Sequence, residues 1–356
     1  MAQGLEKNKK GQKMAVRIGF IGAGGNANWH MGMIKDLPDA KMVAVADLDE
    51  ERAKTTAAKY GAKAYGSHKT MLASEKLDCC YISIPPYQHG EPEIDVIHQG
   101  LPFFVEKPLA TTMPLALDIL ERIEKRNIGT CVGYQIRYLN TLDKAREMLA
   151  GAFVNAVNAY YVCGAIGGWY TRLALSGGQI TEQATHLLDM MRYILGEVKW
   201  VAAAKRTGAK VSAETLDATA LGKGSESSAV AGLELHDYNI WDATTLLMEF
   251  ESGVPATFIC SCQVPYMWDV IMDVFAMEFR LKIDFGQMTI LRKVGDELKT
   301  EVVKADTSPK IDAAFVDAVK TGDFSNVRSS YADAVKSLQV SLAATEAALT
   351  GSPVRI

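Results

Sequence analysis

Apolar positions along the first 135 residues fall into two rhythms. Short runs apolar on both faces occur at 16–22 (VRIGFIG), 41–47 (KMVAVAD), 62–65 (AKAY), 79–85 (CCYISIP), 102–108 (PFFVEKP) and 128–134 (IGTCVGY). Stretches of helical character, 27–36, 50–60, 91–99 and 112–126, separate most of them. Strands buried on both faces, with helices between them, belong to a parallel sheet covered on each side by helices. Six such runs predict a doubly wound α/β domain over residues 15–135.

After Tyr134 the pattern changes. Helices predicted at 141–149 and 181–195 lead into a strand-rich region from Lys199 to Val303. There Leu246, Met248 and Phe250 alternate with Thr245, Glu249 and Glu251, a period of two. Glu251-Ser252-Gly253 then turns the chain into VPATFICSC, so this pair predicts an antiparallel hairpin. The small, polar stretch 204–240 reads as containing a long loop. Closing helices are predicted at 312–320 and 331–349, the second apolar at 335, 338, 342 and 349. Residues 136–356 thus predict an α+β domain with a largely antiparallel open sheet, one face of which is available to another subunit.

Composition narrows the function classes. At 356 residues the chain exceeds the size at which one hydrophobic core stops growing, which agrees with two domains. Thirty-eight basic against 42 acidic side chains give a formal charge of −4, unlike the strongly basic face of a nucleic-acid binder. No apolar run approaches the roughly 20 residues that span a bilayer. Residues 1–14, with Lys7, Lys9, Lys10 and Lys13, lack the apolar segment of a signal peptide and predict a disordered tail. Cys79, Cys80, Cys131, Cys163, Cys260 and Cys262 form no CxxC and no metal-ligand spacing, so free core thiols in a reducing cytoplasm are expected.

The first chemical signal follows the first strand. In Gly22-Ala23-Gly24-Gly25-Asn26-Ala27, Gly22 suits a tight turn and Gly24 lets the backbone approach a pyrophosphate. Ala27 permits close helix–strand packing, and the helix start offers unpaired N–H groups and its positive dipole end to phosphates. Asp47 ends the second strand 20 residues after Ala27, where a carboxylate accepts hydrogen bonds from ribose hydroxyls and repels a 2′-phosphate. No arginine follows directly, the next residues being Leu48 and Asp49, which favours NAD over NADP. Leu48, and Ile84 and Pro85 at the end of the fourth strand, are placed with the cofactor. The fold expectation is therefore an N-terminal Rossmann domain followed by the α+β domain.

Glu106-Lys107-Pro108 ends the fifth strand within FFVEKPLATT. With GFIGAGGNA, VAVADLDEERA, YISIPPYQHGE, VGYQIRY and GGQITEQATHLLDMMRYILGEV, the chain resembles the glucose–fructose oxidoreductase / inositol dehydrogenase / rhizopine-catabolism (Gfo/Idh/MocA) family. The resemblance implies that Lys107 is the active-site lysine and His186 the catalytic histidine. Glu182 stands where many members carry Asp, and the extra methylene moves its carboxylate. It further implies oxidation of a sugar or polyol hydroxyl, and a homodimer or homotetramer built through the second domain's sheet.

The residues themselves support several of these placements. Ligands of open α/β sheets bind outside the carboxyl ends of the strands, where Glu106 and Lys107 lie, and Pro108 biases Lys107 toward an extended backbone. Glu182, His186 and Asp189 share one stripe if 181–195 is helical, and flanking carboxylates would hold the imidazole in one tautomer. One imidazole on that stripe makes a metal site unexpected. His89 is assigned to the cofactor, a loop histidine capping the next helix being the competing reading. Gln135 is implied to face the cofactor and Arg137 the cleft, with a domain-interface ion pair as the alternative for Arg137. Trp169 and Tyr170, after Gly167-Gly168, suit either a sugar platform or a hydrophobic core.

Taken together, these residues predict a cytoplasmic NAD-dependent dehydrogenase acting on a secondary hydroxyl of a sugar, polyol or glycoside. Two alternatives share the same residues: a glycoside-processing enzyme that oxidises transiently with no net redox change, and a catalytically silent sugar or dinucleotide sensor.

Overall fold

The computed structural model describes residues 15–164, 168–208, 238–264, 267–306, 308 and 310–356. The predicted tail, most of the predicted loop within 204–240, and Gly167 lie outside the described residues. The chain divides into two compact units, residues 1–135 with 308–335, and residues 136–307 with 336–356. The first boundary falls where the hydrophobic rhythm changes. The second differs from the expected continuous 136–356 domain, because 308–335 returns to the first unit.

The first unit holds six strands: β1 Val16–Ile21, β2 Ala40–Ala46, β3 Lys63–Tyr65, β4 Cys79–Ile82, β5 Phe103–Val105 and β6 Thr130–Val132. They pair in the order β3-β2-β1-β4-β5-β6, every pairing parallel. Helices α1 Gly25–Ile34, α2 Glu50–Tyr60, α4 Glu91–His98 and α5 Met113–Arg126 match the predicted crossovers. An additional helix, α3 His68–Ser74, buries only Met71, too little for an apolar period to show in the sequence. The strand order with its right-hand and left-hand halves is that of a doubly wound dinucleotide-binding sheet.

Residues 308–335 complete this unit. Helix α10, Lys310–Thr321, is amphipathic, and its Phe315 meets Tyr81 edge-on at 5.4 Å and Phe104 at 6.0 Å between ring centroids. Val132 N–H donates to the Ser329 carbonyl at 2.8 Å, and the Ser329 hydroxyl donates to the Val132 carbonyl at 2.7 Å. The free side of β6 is thereby satisfied, which removes an open sheet edge.

The second unit carries helices α6 Asn140–Leu149, α7 Leu173–Ser176, α8 Gly178–Glu182 and α9 Thr185–Leu195, and most of α11 Tyr331–Thr350. Among the described residues its nine strands are β7 Val154–Val162, β8 Val198–Arg206, β9 Ala243–Phe250, β10 Pro255–Ser261, β11 Asp269–Ala276, β12 Phe279–Ile283, β13 Gln287–Val294, β14 Glu297–Lys304 and β15 Val354–Arg355. They pair in the order β14-β13-β12-β11-β7-β10-β9-β8-β15, antiparallel except where β7 meets β10. The predicted hairpin is β9–β10, turned at Gly253 with φ +82°. Ala256, Phe258 and Cys260 face the core beside Leu246 and Met248, as the period of two requires.

One helix departs from expectation. The predicted helix 181–195 breaks at residues 183–184, so Glu182 ends α8 while His186 sits in the first turn of α9. All six cysteines are free and buried, and burial pushes the Cys80, Cys163 and Cys262 thiols up to about 12. They behave as core hydrophobes.

Candidate active site

The glycine loop is built as an approachable backbone. Gly22 has φ +98°, and a Cβ there would lie 2.0 Å from the Ser83 carbonyl oxygen, so no side chain fits. Gly24 and Gly25 are different, because a Cβ on either would meet open space. Gly24 is the N-cap of α1 without a side-chain cap, and Gly24, Gly25 and Asn26 are exposed while Ala27 is buried against the sheet. The first N–H groups of α1 and its positive dipole end thus open onto a surface with no side chain in the way, a cradle for phosphate.

Asp47 follows β2 directly and is tied to that loop. Its Oδ2 accepts from Ala23 N–H at 2.8 Å, and its Oδ1 accepts from Asp49 N–H at 2.9 Å. Arg52 completes the set, donating from Nη2 to Oδ1 at 2.7 Å and from Nε to Oδ2 at 3.1 Å. Burial would raise the Asp47 pKa, but the Arg52 fork and the two N–H groups outweigh it and hold the carboxyl below its ordinary value. No arginine follows Asp47 directly, but Arg52, five residues on, reaches its carboxylate. Asp49 caps α2, its side chain accepting from Arg52 N–H, and this places Arg52 in the first turn, close enough to fold back. Leu48 is exposed, and Ile84 and Pro85 are half-buried beyond β4.

His89 is buried at the entry to α4. Its Nδ1 is bonded to Glu93 Oε1, while Glu93 Oε2 accepts from Gly90 N–H at 2.7 Å. The histidine reading that made it a helix cap is replaced by the reverse arrangement: Glu93 holds both the ring and the helix start. Nε2 of His89 is buried without a hydrogen-bond partner among the described residues. A buried, unpartnered ring nitrogen is costly unless a ligand meets it.

Glu106 and Lys107 follow β5, and both are buried, Lys107 to 9% exposure. The Lys107–Pro108 peptide is cis. Glu106 Oε2 accepts from Lys107 N–H at 3.2 Å, and Gly133 lets β6 come close, since a Cβ there would lie 2.9 Å from the same oxygen. The other oxygen, Oε1, meets His30 Nε2 at 2.8 Å, and His30 Nδ1 meets Asp312 Oδ1 at 2.7 Å. An imidazole bonded through both nitrogens to carboxylates must donate twice, so His30 is an imidazolium. Burial lowers its pKa, but the charge and hydrogen bond of Asp312, then those of Glu106, win and raise it to about 9.

In the second unit, Arg137 and Asp189 pair with each other. Arg137 donates from Nε to Asp189 Oδ2 at 2.7 Å and from Nη2 to Oδ1 at 2.6 Å, both residues being buried. Ser337 donates to Asp189 Oδ1 at 2.6 Å, and Arg192 donates to the Ser337 hydroxyl at 2.6 Å. Burial raises the Asp189 pKa against the pull of Arg137, Ser337 and Arg192. Arg137 and Asp189 thus meet each other in an internal ion pair of the second unit. Tyr170 is likewise core, 1% exposed, with its hydroxyl donating to Gln183 Oε1 at 2.7 Å. Trp169 is half-buried against that core, and Glu182 and His186 are each half-buried. Gln135 is exposed, at the start of the 3₁₀ segment Gln135–Tyr138.

Two family descriptions match the chain: "Oxidoreductase family, NAD-binding Rossmann fold" over residues 16–134, and "GFO/IDH/MocA C-terminal domain" over residues 118–282. The chain belongs to the Gfo/Idh/MocA oxidoreductase family. It is 26% identical over 195 residues to inositol 2-dehydrogenase of Rubrobacter xylanophilus, a match covering 53% of this chain and 54% of that protein. The chain thus spans about half the length of this curated relative. Two solved structures share the fold. Levoglucosan dehydrogenase in complex with NADH has a TM-score of 0.81 at 17% identity, covering 96% of this chain and 99% of that one. GenD2 from gentamicin A biosynthesis, in complex with NAD, has a TM-score of 0.78 at 20% identity, covering 100% and 99%.

The family's NAD fits this chain's residues. The open backbone at Gly24 and Gly25, the uncapped start of α1 and the unpartnered Nε2 of His89 are the features such a ligand would satisfy. Among the described residues no cluster of His, Cys, Asp or Glu has a metal-holding arrangement, and no helix is long and apolar enough to cross a membrane. Sequence reasoning passed over Arg52, Glu93, His30 and Asp312. A signal existed for His30, which occupies the buried stripe of α1 with Ala27, Met31 and Ile34. None existed for Asp312, which lies 282 residues from its partner.

Proposed function

We propose that this protein is an NAD-dependent dehydrogenase of a secondary hydroxyl on a sugar, polyol or glycoside. The observation that carries the reading is the seat of Lys107, a buried cation at a strand's carboxyl end whose neighbour Glu106 is fixed by His30. Gly22, Gly24, Gly25, Asn26 and Ala27 would hold the pyrophosphate, Asp47 the ribose, and His89 and Gln135 the nicotinamide half. When bound, NAD supplies the acceptor for the carbon-bound hydrogen, which leaves as hydride. Lys107 donates a hydrogen bond to the substrate oxygen and favours its developing negative charge. His186, half-buried in the first turn of α9, accepts the hydroxyl proton, and Glu182 orients it from the end of α8.

Lys107→Ala and His186→Ala are each expected to lower turnover by about 100-fold or more while NADH binding persists. A panel of sugars, polyols and glycosides, followed by NADH absorbance and product analysis, provides the test. Wild-type rates in both variants would end the assignment. Product formation without NADH accumulation would indicate the transient-oxidation alternative instead.

A second copy of the chain is proposed to cover the outward face of the nine-stranded sheet. Cross-strand register brings Leu247, Ile259, Tyr160 and Ile271 onto that face beside Phe275. Leu247, Ile259 and Phe275 are 47%, 43% and 38% exposed, large apolar side chains on a sheet face that a partner surface would bury.

A further inference from the structure

We propose that the outer edge of β14 pairs with the same edge of a second copy of this chain, across a two-fold axis through Thr300. The contact is by an edge rather than by the sheet face proposed above, and only the size of the assembly rests on that face. Among the described residues β14 pairs with β13 alone. Ala305 N–H donates to the Gly286 carbonyl at 2.8 Å, one step beyond the pair Gln287–Lys304. Gln287 turns its own N–H and carbonyl the other way, to Asp284. Backbone groups alternate in direction along an antiparallel strand, so Leu298, Thr300, Val302 and Lys304 point theirs away from β13. The Lys304 carbonyl accordingly accepts from Asn140 Nδ2 at 3.0 Å. Asn140 thus closes one end of the edge, and the turn at Gly295, with φ +64°, closes the other. The stretch between them, residues 298–302, is centred on Thr300.

That stretch complements itself. Only residues whose backbone groups point outward can exchange hydrogen bonds, so the register moves in steps of two residues. With Thr300 opposite the partner's Thr300, Leu298 lies opposite the partner's Val302 and Lys299 opposite the partner's Glu301, each twice by symmetry. One step in either direction sets Lys299 against the partner's Lys299, or Glu301 against the partner's Glu301, and like charges directly opposite are destabilising. Leu298 and Val302 are 73% and 51% exposed, apolar side chains that this register covers with one another. Lys299 and Glu301 are exposed, with Glu297 at 4.0 Å and Arg292 at 3.5 Å as exposed neighbours. Charge of one sign on an edge deters pairing, whereas here the two signs are placed to meet. A single strand pair buries too little surface to persist alone, so the contact joins two dimers formed through the sheet face into a tetramer.

The test compares the mass in solution, by light scattering and sedimentation, of the wild type, Lys299→Glu, Glu301→Lys, their double variant, Thr300→Pro and Ile259→Lys. Circular dichroism serves as the fold control. Thr300→Pro removes an N–H that β13 does not use, so the β13–β14 hairpin keeps its hydrogen bonds. The wild type is expected to be a tetramer. Each single charge reversal and Thr300→Pro should halve its mass, and the double reversal should restore it, because the opposed charges attract again. Single variants that stay folded and keep the wild-type mass overturn the proposal, as does a double reversal that remains at half mass. If Ile259→Lys keeps the wild-type mass while Lys299→Glu halves it, the face reading falls and the edge pairing stands. The reverse outcome removes the edge pairing alone, and a monomeric wild type removes both.

Discussion

At the scale of single residues, the most consequential group is His30. It lies between Asp312 and Glu106, edge-on to Phe104 at 4.6 Å, with Tyr81 and Trp29 also against its ring. A pKa raised from 6.5 to about 9 means that the folded state holds a proton the unfolded chain releases earlier. The associated stabilisation is present in full below pH 6.5 and is lost as pH rises through 9. The wild type should therefore lose stability relative to His30→Gln over that interval, as read from denaturation midpoints. A His30 imidazole resonance titrating near 6.5 would contradict this. The contact also matters for chemistry, because His30 holds the Glu106 carboxylate in place beside Lys107.

At the scale of elements, the Arg137–Asp189 pair does for the second unit what His30 does for the first. It joins the segment Gln135–Tyr138 to α9, and Ser337 extends the link to α11. Arg137 and Arg146 also lie over the Tyr193 ring, at 5.0 and 4.4 Å, which fixes the same face of α9. The first turn of that helix carries His186, so its position is set by a network one turn further along. Breaking a buried pair by removing one partner costs about 3–5 kcal/mol, because the other charge is left uncompensated. Asp189→Asn is accordingly expected to lower the urea midpoint by a corresponding amount. A wild-type midpoint accompanied by a raised KM would return Asp189 to the substrate.

At the scale of the whole molecule, the two units differ in how they use their sheets. In the first, helices cover both faces of a parallel sheet, and residues 308–335 close its β6 edge. In the second, helices cover one face and leave the other to Leu247, Ile259 and Phe275. Ile259→Lys is expected to convert an oligomer to monomer without loss of fold, measured by light scattering with circular dichroism as control. A wild-type chain that stays monomeric across its concentration range would remove the proposed interface.

Local signals made much of this legible in advance. Short apolar runs identified all six strands of the parallel sheet, although the edge strand β3 is largely exposed, the period of two identified β9–β10, and spacing placed the glycine loop ahead of Asp47. Such features are written within a few residues, because backbone periodicity and turn chemistry are local. The helix break at 183–184, the return of 308–335 to the first unit and the partners of charged side chains were not legible. Pairing of Arg52 with Asp47, Asp189 with Arg137, and Asp312 with His30 depends on where separate elements meet. Sequence by itself determined the sheet types, the glycine loop and the Glu106-Lys107 strand end. Only the tertiary structure decided which charges are spent on one another, since burial forces each buried charge to find a partner that distance along the chain does not reveal.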